Sequence, residues 1–356
     1  MIASKYRFPK ILIIGSNARG SLETAYLRAL HKVGVHQVDF FDVDRHKYFS
    51  HGSKIVVRGI NRLASPVSMR RVSRKFLQFL SNKKKRKYDV VIIFKGMEFS
   101  RKLLETCRLA QPGAVWFNIY PDDPFNIGSQ GSTNSNIIDS LSFFDVYCIW
   151  SHNLIYKLKK WGCRQVEYLP FGYDSDTQCP PPHTVAIEPS AVSFVGAWDP
   201  HREEILTALA DYDLRIYGNG WNRVSRRFPL RNRILPHNIY GDELSKAIYS
   251  SAVCLNLLRP QNYGAHNMRT FEIPAMSGLM LTTRSKEQNV FFPEGEGSLM
   301  YSDINELRNQ LDRLFSDTEL AQRLRHRGNE LSKGHSYSDR AKYLVRIINY
   351  TKQSKI

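Results

Sequence analysis

One short segment, residues 267–283 (NMRTFEIPAMSGLMLTT), joins a carboxylate to a helix start in a way that suits nucleotide chemistry. It predicts a polar turn, a helix, a stop at Gly278 and an apolar strand. Glu272 falls one turn into the helix on an otherwise apolar face, so its carboxylate needs a polar partner. Two partners suit it: the vicinal hydroxyls of a ribose, or an arginine within a purely structural helix.

The start of the same helix offers backbone amides to an anion. The first N–H groups of a helix have no partner within it, and the helix dipole favours negative charge at that end. A diphosphate could therefore bind at Asn267, Met268, Arg269 and Thr270. The Arg269 side chain would be either a second phosphate ligand or the partner of Glu272.

The composition is that of a globular protein with room for two domains. Of its 356 residues 42% are apolar and 24% charged, which excludes a disordered chain. The apolar runs have strand length, far below the roughly 18 residues that span a bilayer, and we expect no signal peptide. Five scattered cysteines are expected to be reduced thiols of a cytoplasmic protein.

Positive charge is concentrated near the start of the chain. The first hundred residues carry 21 Lys or Arg and six Asp or Glu, while the whole chain has a formal net charge of +18. In residues 65–87, Ser65 and Pro66 predict a helix start, and apolar residues follow at helical spacing. The cations of this basic helix are Arg70, Arg71, Arg74, Lys75, Lys83, Lys84, Lys85, Arg86 and Lys87.

The basic helix has three interpretations. It could lie on an anionic membrane surface, which is our first expectation. It could instead follow the backbone of a nucleic acid. The third interpretation is a helix packed against the core with a solvated basic face.

Strand-like and helix-like segments alternate along both halves of the chain. Apolar runs such as ILIIG, VVIIF and AVWFNIY alternate with helical periods, which predicts parallel sheets with helices on both faces. The proline-rich segment 177–190 lacks periodicity and predicts a linker. We expect an α/β protein with a Rossmann-like domain at 1–176, a linker at 177–190, a second Rossmann-like domain at 191–336 and a final helix at 337–356.

Taken in order, the motifs of residues 193–345 resemble those of CgeB-like glycosyltransferases, which belong to the group 1, family 4 type of the GT-B fold. The motifs are VSFVGAWDPHREEILTAL, LRIYGNGW, IYGDELSKAIYSSAVCLNLL, the Glu272 segment and FFPEGEGSLMYSDINELRNQL. The first half of the chain matches more loosely. The resemblance implies two domains facing across a cleft, the first binding the acceptor and the second the nucleotide sugar. It also implies a final helix that crosses back to the first domain.

The resemblance assigns roles to residues at the ends of strands. Gly196 would let the diphosphate come close and Arg202 would reach it, unless Arg202 pairs with a neighbouring acid. The backbone at Tyr240 and Gly241 would contact the base. Gly15 would lie at the floor of the cleft near the transferred sugar, or would only form a turn.

One departure concerns the sugar contact. Related enzymes have two glutamates in E-x7-E spacing; Glu272 matches the second, but Gly264 stands where the first would be. CgeB-like sequences often have an N-x-R form instead, which Asn267, Met268 and Arg269 match. His266 and Asn267 are expected to take over the contact with the sugar, and His266 is also a candidate catalytic residue.

Acidic residues of the first half predict acceptor contacts rather than a metal site. Asp122 and Asp123 follow a strand and precede Pro124. They are either contacts to the acceptor, one of them a catalytic base for its hydroxyl, or the cap of a turn. Asp42 and Asp44 have DxD spacing but end a strand of the first domain, and no Cys/His cluster has zinc spacing, so no metal is expected.

The resemblance predicts a retaining, metal-independent transfer of a sugar from a nucleotide diphosphate sugar, preferably UDP-linked, to a hydroxyl acceptor. Helix amides and basic residues would stabilise the charge on the leaving diphosphate, without a cofactor. The expected setting is lipid-linked or cell-surface glycan synthesis in the cytoplasm, at the inner face of a membrane. The alternatives are a protein or a modified DNA base as acceptor, and a non-catalytic protein that binds membranes or nucleic acid. An epimerase is disfavoured because it needs acids and histidines for proton abstraction.

Overall fold

Parallel sheets organise both halves of the chain. A computed structural model describes residues 8–47, 55–82, 87–126, 133–181, 185–224, 227–235 and 238–354. It divides into two units, Met1–Pro170 with Arg340–Ile356, and Phe171–Asp339. Each unit is built on one six-stranded parallel sheet. The division falls ahead of residues 177–190, and the last residues are grouped with the first unit.

The first unit alternates strands and helices without interruption. Its strands are β1 (Ile11–Gly15), β2 (Val38–Asp42), β3 (Val90–Phe94), β4 (Val115–Tyr120), β5 (Val146–Ile149) and β6 (Val166–Tyr168). Its connecting helices are α1 (Leu22–Lys32), α2 (Ile55–Asn82), α3 (Arg101–Ala110), α4 (Ser135–Ser140) and α5 (His152–Lys160). The sheet order is β2-β1-β3-β4-β5-β6. The direction of winding therefore reverses between β1 and β3.

Local sequence explains these elements. Strands β1, β3, β4 and β5 are buried at every position, as expected for strands covered on both faces. Four of the helices begin at a side chain that accepts a hydrogen bond from a first-turn amide, which satisfies one of the free N–H groups. These N-cap residues are Ser21, Ser100, Asn134 and Ser151.

The second unit repeats the plan. Its strands are β7 (Glu188–Val195), β8 (Asp213–Tyr217), β9 (Ile234–Leu235), β10 (Ser251–Asn256), β11 (Met280–Thr283) and β12 (Leu299–Tyr301). Its helices are α6 (Pro200–Thr207), α7 (Asp242–Ser250), α8 (Arg269–Ala275), α9 (Lys286–Phe291), α10 (Ile304–Ser316) and α11 (Thr318–Ser332), and α12 (Tyr337–Gln353) follows. The order β12-β11-β10-β7-β8-β9 reverses between β7 and β10. The predicted α/β fold with two Rossmann-like domains is confirmed.

Two helix boundaries differ from the sequence prediction. Helix α2 begins at Ile55, so Ser65 does not start it, and Pro66 lies inside it. A proline inside a helix lacks the N–H that would donate to the preceding turn, and its ring crowds that turn, so α2 continues through Pro66 at a cost in stability. Helix α8 ends at Ala275, and the left-handed residue after it is Ser277, with φ 57°, rather than Gly278.

Packing, not backbone conformation, explains Gly278. A Cβ there would lie 2.5 Å from Cγ2 of Ile248 and 2.9 Å from Cγ2 of Ile273. Any larger residue would push α8 away from its neighbours.

The cysteines are unpaired, as the sequence predicts, and only Cys179 is exposed. Burial raises the pKa of Cys107 to about 12, so this thiol stays protonated and unreactive at neutral pH. No helix in the described ranges is long and apolar enough to cross a membrane.

Candidate functional site

The loops after β7 and β10 form the candidate donor site of the second unit. In open α/β sheets, ligands bind outside the carboxyl ends of the strands at the point where the strand order reverses. Here that point lies between β7 and β10. The segment after β7 contains Gly196 and Arg202, and the segment after β10 contains Arg259 and leads to Arg269. Three arginines therefore converge where an anionic ligand is expected.

Arg202 holds the two loops together. Its side chain is 11% exposed. Its Nε and Nη2 atoms donate to the Leu257 carbonyl at 3.3 and 2.9 Å, and Nη1 donates to the Ala197 carbonyl at 2.9 Å. Asp199 lies 3.6 Å from Nε. This geometry favours pairing with a neighbouring acid over the predicted contact with a diphosphate.

Arg259 is the cation that sequence reasoning missed. Its Nε atom donates to Oδ2 of Asp199 at 3.0 Å, and its side chain is 35% exposed. Its Nη1 and Nη2 atoms make no hydrogen bond to any residue that the structure describes. Burial first, and then the charge of Arg259, lower the pKa of Arg202 to about 10, and Arg269 adds to the effect. One feature of the sequence could have identified Arg259: it closely follows a buried strand, β10.

Glu272 is 1% exposed, and both of its carboxylate oxygens have partners. Oε2 accepts a hydrogen bond from Nη1 of Arg269, and Oε1 accepts one from Nε2 of Gln178 at 2.7 Å. The structure thereby shows Arg269 as the partner of Glu272. A carboxylate oxygen can accept more than one hydrogen bond, so the ribose contact stays a prediction.

A buried amide network fixes the turn that begins α8. Oδ1 of Asn267 accepts from the Thr270 amide at 3.1 Å and caps the helix, while Nδ2 of Asn267 donates to Oδ1 of Asn256 at 2.8 Å. Oε1 of the fully buried Gln288 accepts from Asn256 at 2.9 Å and from Thr270 at 2.8 Å. Because every member is paired, the network holds one geometry.

Two amides in this turn are left to other ligands. The backbone N–H groups of Met268 and Arg269 make no hydrogen bond within the described part of the chain. The Thr270 amide, by contrast, is already occupied by Asn267. Of the four residues predicted to bind an anion, only Met268 and Arg269 therefore have a backbone N–H available for it.

His266 is fully buried, and both ring nitrogens have protein partners. Nε2 accepts from the Phe171 amide at 3.2 Å, and Nδ1 lies 2.7 Å from Oε2 of Glu287. Because Nε2 accepts, Nδ1 carries the proton that is donated to Glu287. The expected roles of His266 in catalysis and sugar binding do not fit this position. The ring instead supports the loop that leads to α8.

The other predicted donor residues lie in loops of the same unit. A Cβ on Gly196 would come within 2.7 Å of the Phe194 ring, so the glycine is already required by packing. Tyr240 is exposed and precedes Gly241, whose φ of 56° suits glycine. Trp221 is buried and donates to the Gly196 carbonyl at 2.9 Å, so it helps to hold the loop after β7.

A pocket of about 370 Å³ lies beside the position that lacks the family's first glutamate. Gly264 has φ 80°, and its neighbour Tyr263 lines the pocket with His201 and Glu204. The Tyr263 hydroxyl lies 2.6 Å from Nε2 of His201. These groups offer both donors and acceptors of hydrogen bonds, as a sugar needs.

The first unit has polar groups at its own reversal point. A Cβ on Gly15 would lie 2.5 Å from Cγ of Glu23, so Gly15 is covered by that side chain rather than open to a ligand. Oε1 of Glu23 accepts from the Ser16 amide at 3.1 Å. Burial raises the pKa of Glu23. The sequence prediction did not include Glu23. Its carboxyl reaches the end of β1 only because α1 folds back over that strand.

Asp122 and Asp123 lie after β4, and both have partners. Oδ2 of Asp122 lies 2.6 Å from the ammonium of Lys95. Oδ1 of Asp123 accepts from the Phe125 amide at 2.9 Å, which is the turn cap considered above. Lys95, directly after β3, has φ 56°, a conformation that is strained for a residue with a side chain. Asp123 therefore caps a turn, and the predicted acceptor contact of Asp122 stays a prediction.

The basic helix α2 packs its apolar face against its own unit. Val72, Phe76 and Leu80 are buried, and the Phe76 ring lies 5.0 Å from Phe41. This supports the core-packed interpretation and removes that face from membrane contact. The cations Arg70, Arg74, Lys75 and Lys87 are exposed and Arg71 is half-buried. Lys83, Lys84, Lys85 and Arg86 lie outside the described residues.

Among the described residues, no group of three or more His, Cys, Asp or Glu side chains is arranged to hold a metal ion.

Comparison with known proteins agrees with this architecture. Residues 202–346 match the model of a family described as glycosyl transferase-like. A sucrose-phosphate synthase from Thermosynechococcus elongatus has 16% sequence identity and a TM-score of 0.69, covering 97% of this chain and 99% of its own. HepE from Anabaena, solved in complex with UDP-glucose, has 12% identity and a TM-score of 0.65, covering 97% and 100%. A glycosyltransferase from Rickettsia africae has 14% identity and a TM-score of 0.63, covering 97% and 99%. No curated protein sequence matches the chain significantly.

The comparisons define the fold. Both sheets match those of GT-B glycosyltransferases over nearly the whole chain. They show that the chain has the GT-B fold, while the family match is confined to residues 202–346. Glycosyltransferase activity and the CgeB-like subgroup both stay predictions.

Proposed function

We propose that the protein transfers a sugar from a UDP-sugar to a hydroxyl acceptor, with the donor bound at the reversal point of the second sheet. The observation that carries this proposal is the convergence of Arg202, Arg259 and Arg269 there. HepE, a structural neighbour, binds UDP-glucose. Breaking the bond between the sugar and the diphosphate leaves negative charge on UDP, and fixed cations stabilise that charge.

Different residues would bind the diphosphate, the ribose and the base of the donor. Arg259 and the amides of Met268 and Arg269 would bind the diphosphate, while Glu272 would accept hydrogen bonds from the ribose. The backbone at Tyr240 and Gly241 would contact the base. Arg202 would act indirectly, by holding the two loops at a fixed distance. No metal is required in this scheme.

The sugar would lie in the pocket beside Gly264. Tyr263, His201 and Glu204 line it, and they would replace the glutamate that related enzymes have at this position. In the first unit, Asp122 and Glu23 would contact the acceptor hydroxyl. On transfer, the acceptor oxygen bonds to the anomeric carbon, the bond to the diphosphate breaks and leaves its electron pair on UDP, and the hydroxyl proton passes to the Asp122 carboxylate. Retention of configuration and an acceptor in lipid-linked or cell-surface glycans belong to the same proposal.

Calorimetric titration with UDP, UMP and uridine tests the donor site. If Arg259 and the amides of Met268 and Arg269 bind the diphosphate, UDP should bind at least tenfold more tightly than uridine, and EDTA should leave the affinity unchanged. Equal affinity for UDP and uridine would contradict the assignment. Release of UDP from a panel of UDP-sugars, with acceptor present and absent, then tests transfer. If the folded protein does not bind UDP, the proposal is refuted.

A non-catalytic role in binding polyanions through α2 is the second candidate. The exposed cations Arg70, Arg74 and Lys75 favour it. Changing all three to Gln should abolish retention of DNA or anionic vesicles without changing UDP affinity, because these residues lie in the first unit. Unchanged retention would eliminate this role for α2.

A further inference from the structure

Helix α5 presents large aromatic side chains to solvent. Of its nine residues only Leu158 is buried. Tyr156 is 78% exposed and Trp161, at its C-terminal end, is 50% exposed. Burying such rings from water is favourable, and a soluble surface rarely leaves two together on one short element.

The same element is strongly cationic. Residues 152–164 (HNLIYKLKKWGCR) contain Lys157, Lys159, Lys160 and Arg164, all exposed, and no Asp or Glu. Side chains three and four positions apart on a helix share a face. Tyr156 therefore lies between Lys159 and Lys160 on the outward side of α5.

Contacts beneath this surface hold its aromatic edge in place. The ammonium of Lys157 lies 4.1 Å from the centre of the Phe125 ring. That ring in turn lies 5.7 Å from Trp161. The indole thus rests on a neighbour on one side and is open on the other.

We propose that this surface, which we call the α5 patch (Tyr156, Lys157, Lys159, Lys160, Trp161 and Arg164), binds anionic lipid bilayers. Tryptophan and tyrosine favour the headgroup level of a bilayer, where an apolar ring and a polar edge are both satisfied. Lysine and arginine are attracted to anionic lipid there. The α5 patch combines both properties on one convex helix, whereas α2 has its apolar face packed inside the unit.

Nucleic acid is the rival partner, but the shape is less suitable. Binding of single strands commonly uses a groove that follows the backbone, with bases stacked on ring faces. The α5 patch is the outside of a helix, and one side of Trp161 already faces Phe125. The charge is complementary to both partners, so the experiment must separate them.

Tryptophan fluorescence offers a direct test on the full-length protein. All five tryptophans are described, and Trp161 alone is exposed; Trp116, Trp150 and Trp221 are buried and Trp198 is half-buried. Vesicles of phosphatidylcholine with 30% phosphatidylglycerol (on the order of the charge needed for electrostatic binding) would be compared with vesicles carrying brominated chains. We expect binding, a blue shift of the emission, and quenching by the brominated lipid.

Three variants test whether vesicle binding and fluorescence quenching arise from the α5 patch. Trp161→Phe should keep binding but lose the quenching. Tyr156→Ser with Lys159→Gln and Lys160→Gln should weaken binding by more than about 20-fold, at about fivefold for each lysine and more for the ring. Lys246→Gln with Lys333→Gln, which removes two exposed lysines of the second unit, is the charge control and should bind normally.

The results that would overturn the proposal are equally specific. Binding without quenching of Trp161 would place the contact elsewhere, as would loss of binding in an α2 variant with the α5 variant unaffected. Retention of single-stranded DNA but not of anionic vesicles would assign the α5 patch to nucleic acid. Because no donor or acceptor is used, these outcomes do not depend on the proposed glycosyl transfer.

Discussion

Removing the Glu272 carboxylate separates its structural role from its role in binding. In Glu272→Ala, the guanidinium of Arg269 and the side-chain amide of Gln178 both lose an acceptor. An unpaired buried group costs about 1–3 kcal/mol, and both partners can reach water because Arg269 and Gln178 are only half-buried. We therefore expect a loss of about 2 kcal/mol, or roughly 4–8 °C in Tm for a unit of this size.

The loss of nucleotide affinity should be larger. Two ribose hydroxyls that donate to a carboxylate contribute about 1.5 kcal/mol each, or about 3 kcal/mol together, which corresponds to roughly 100-fold in Kd. Uridine and UDP should both be affected, because both contain the ribose. Calorimetry at 15 °C, well below the lowered Tm, would measure the two affinities on folded protein.

Gln178→Ala is the matched control. It removes a partner of the same carboxylate, but the ribose would replace that partner, so UDP affinity should be unchanged or higher. The reasoning fails if Glu272→Ala binds uridine normally while folded. It also fails if Gln178→Ala weakens UDP as much as Glu272→Ala does, since both variants would then act only through the architecture.

The remaining predictions concern the arginines and the first unit. Arg259→Ala should weaken UDP about tenfold and leave uridine unchanged, because a charged hydrogen bond contributes about 1.5 kcal/mol or more; equal losses for both ligands in calorimetry would contradict it. Arg202→Met should lower the free energy of unfolding by about 3 kcal/mol, because the Leu257 and Ala197 carbonyls lose their donor. Urea titrations would measure this change. An unchanged midpoint would mean that Arg202 has no structural role and would favour a contact with the ligand. Glu23→Gln should stabilise the protein at pH 7 but not at pH 3. A carboxyl with a raised pKa binds its proton more tightly when folded, so its stabilising effect is present at low pH and is lost as pH rises through the raised pKa. Urea titrations at both pH values would check it, and an equal effect at both would refute it.

The hydrophobic pattern of the sequence was sufficient to predict the buried strands and helices of the core. Strands such as β3 and β4 are buried at every position, and a run of apolar residues bounded by polar ones indicates them directly. Helix α7 spans Asp242–Ser250, and its buried residues Leu244 and Ile248 have helical spacing. Short or partly polar elements, among them β6, β9 and α5, gave no such signal, because few of their side chains are buried.

Side-chain partners were beyond the sequence. The residues flanking Glu272 gave two candidate uses for Arg269, and only the structure shows the pair, together with a second partner 94 positions away in Gln178. His266 was expected at the sugar because it lies close to Gly264, which stands where related enzymes have their first glutamate. The fold turns it inward, onto the Phe171 amide and Glu287.

The sequence by itself determined the alternation of strands and helices, and with it two parallel sheets whose strand ends carry the glycines, arginines and carboxylates. These follow from local patterns of burial, which depend on neighbours a few residues apart. Only the tertiary structure decided which cation is left for a ligand. Arg202 and Arg259 have the same charge, but Arg202 is buried against the Leu257 carbonyl while two nitrogens of Arg259 remain toward solvent. That difference arises from contacts across more than fifty residues of chain, which no local pattern encodes.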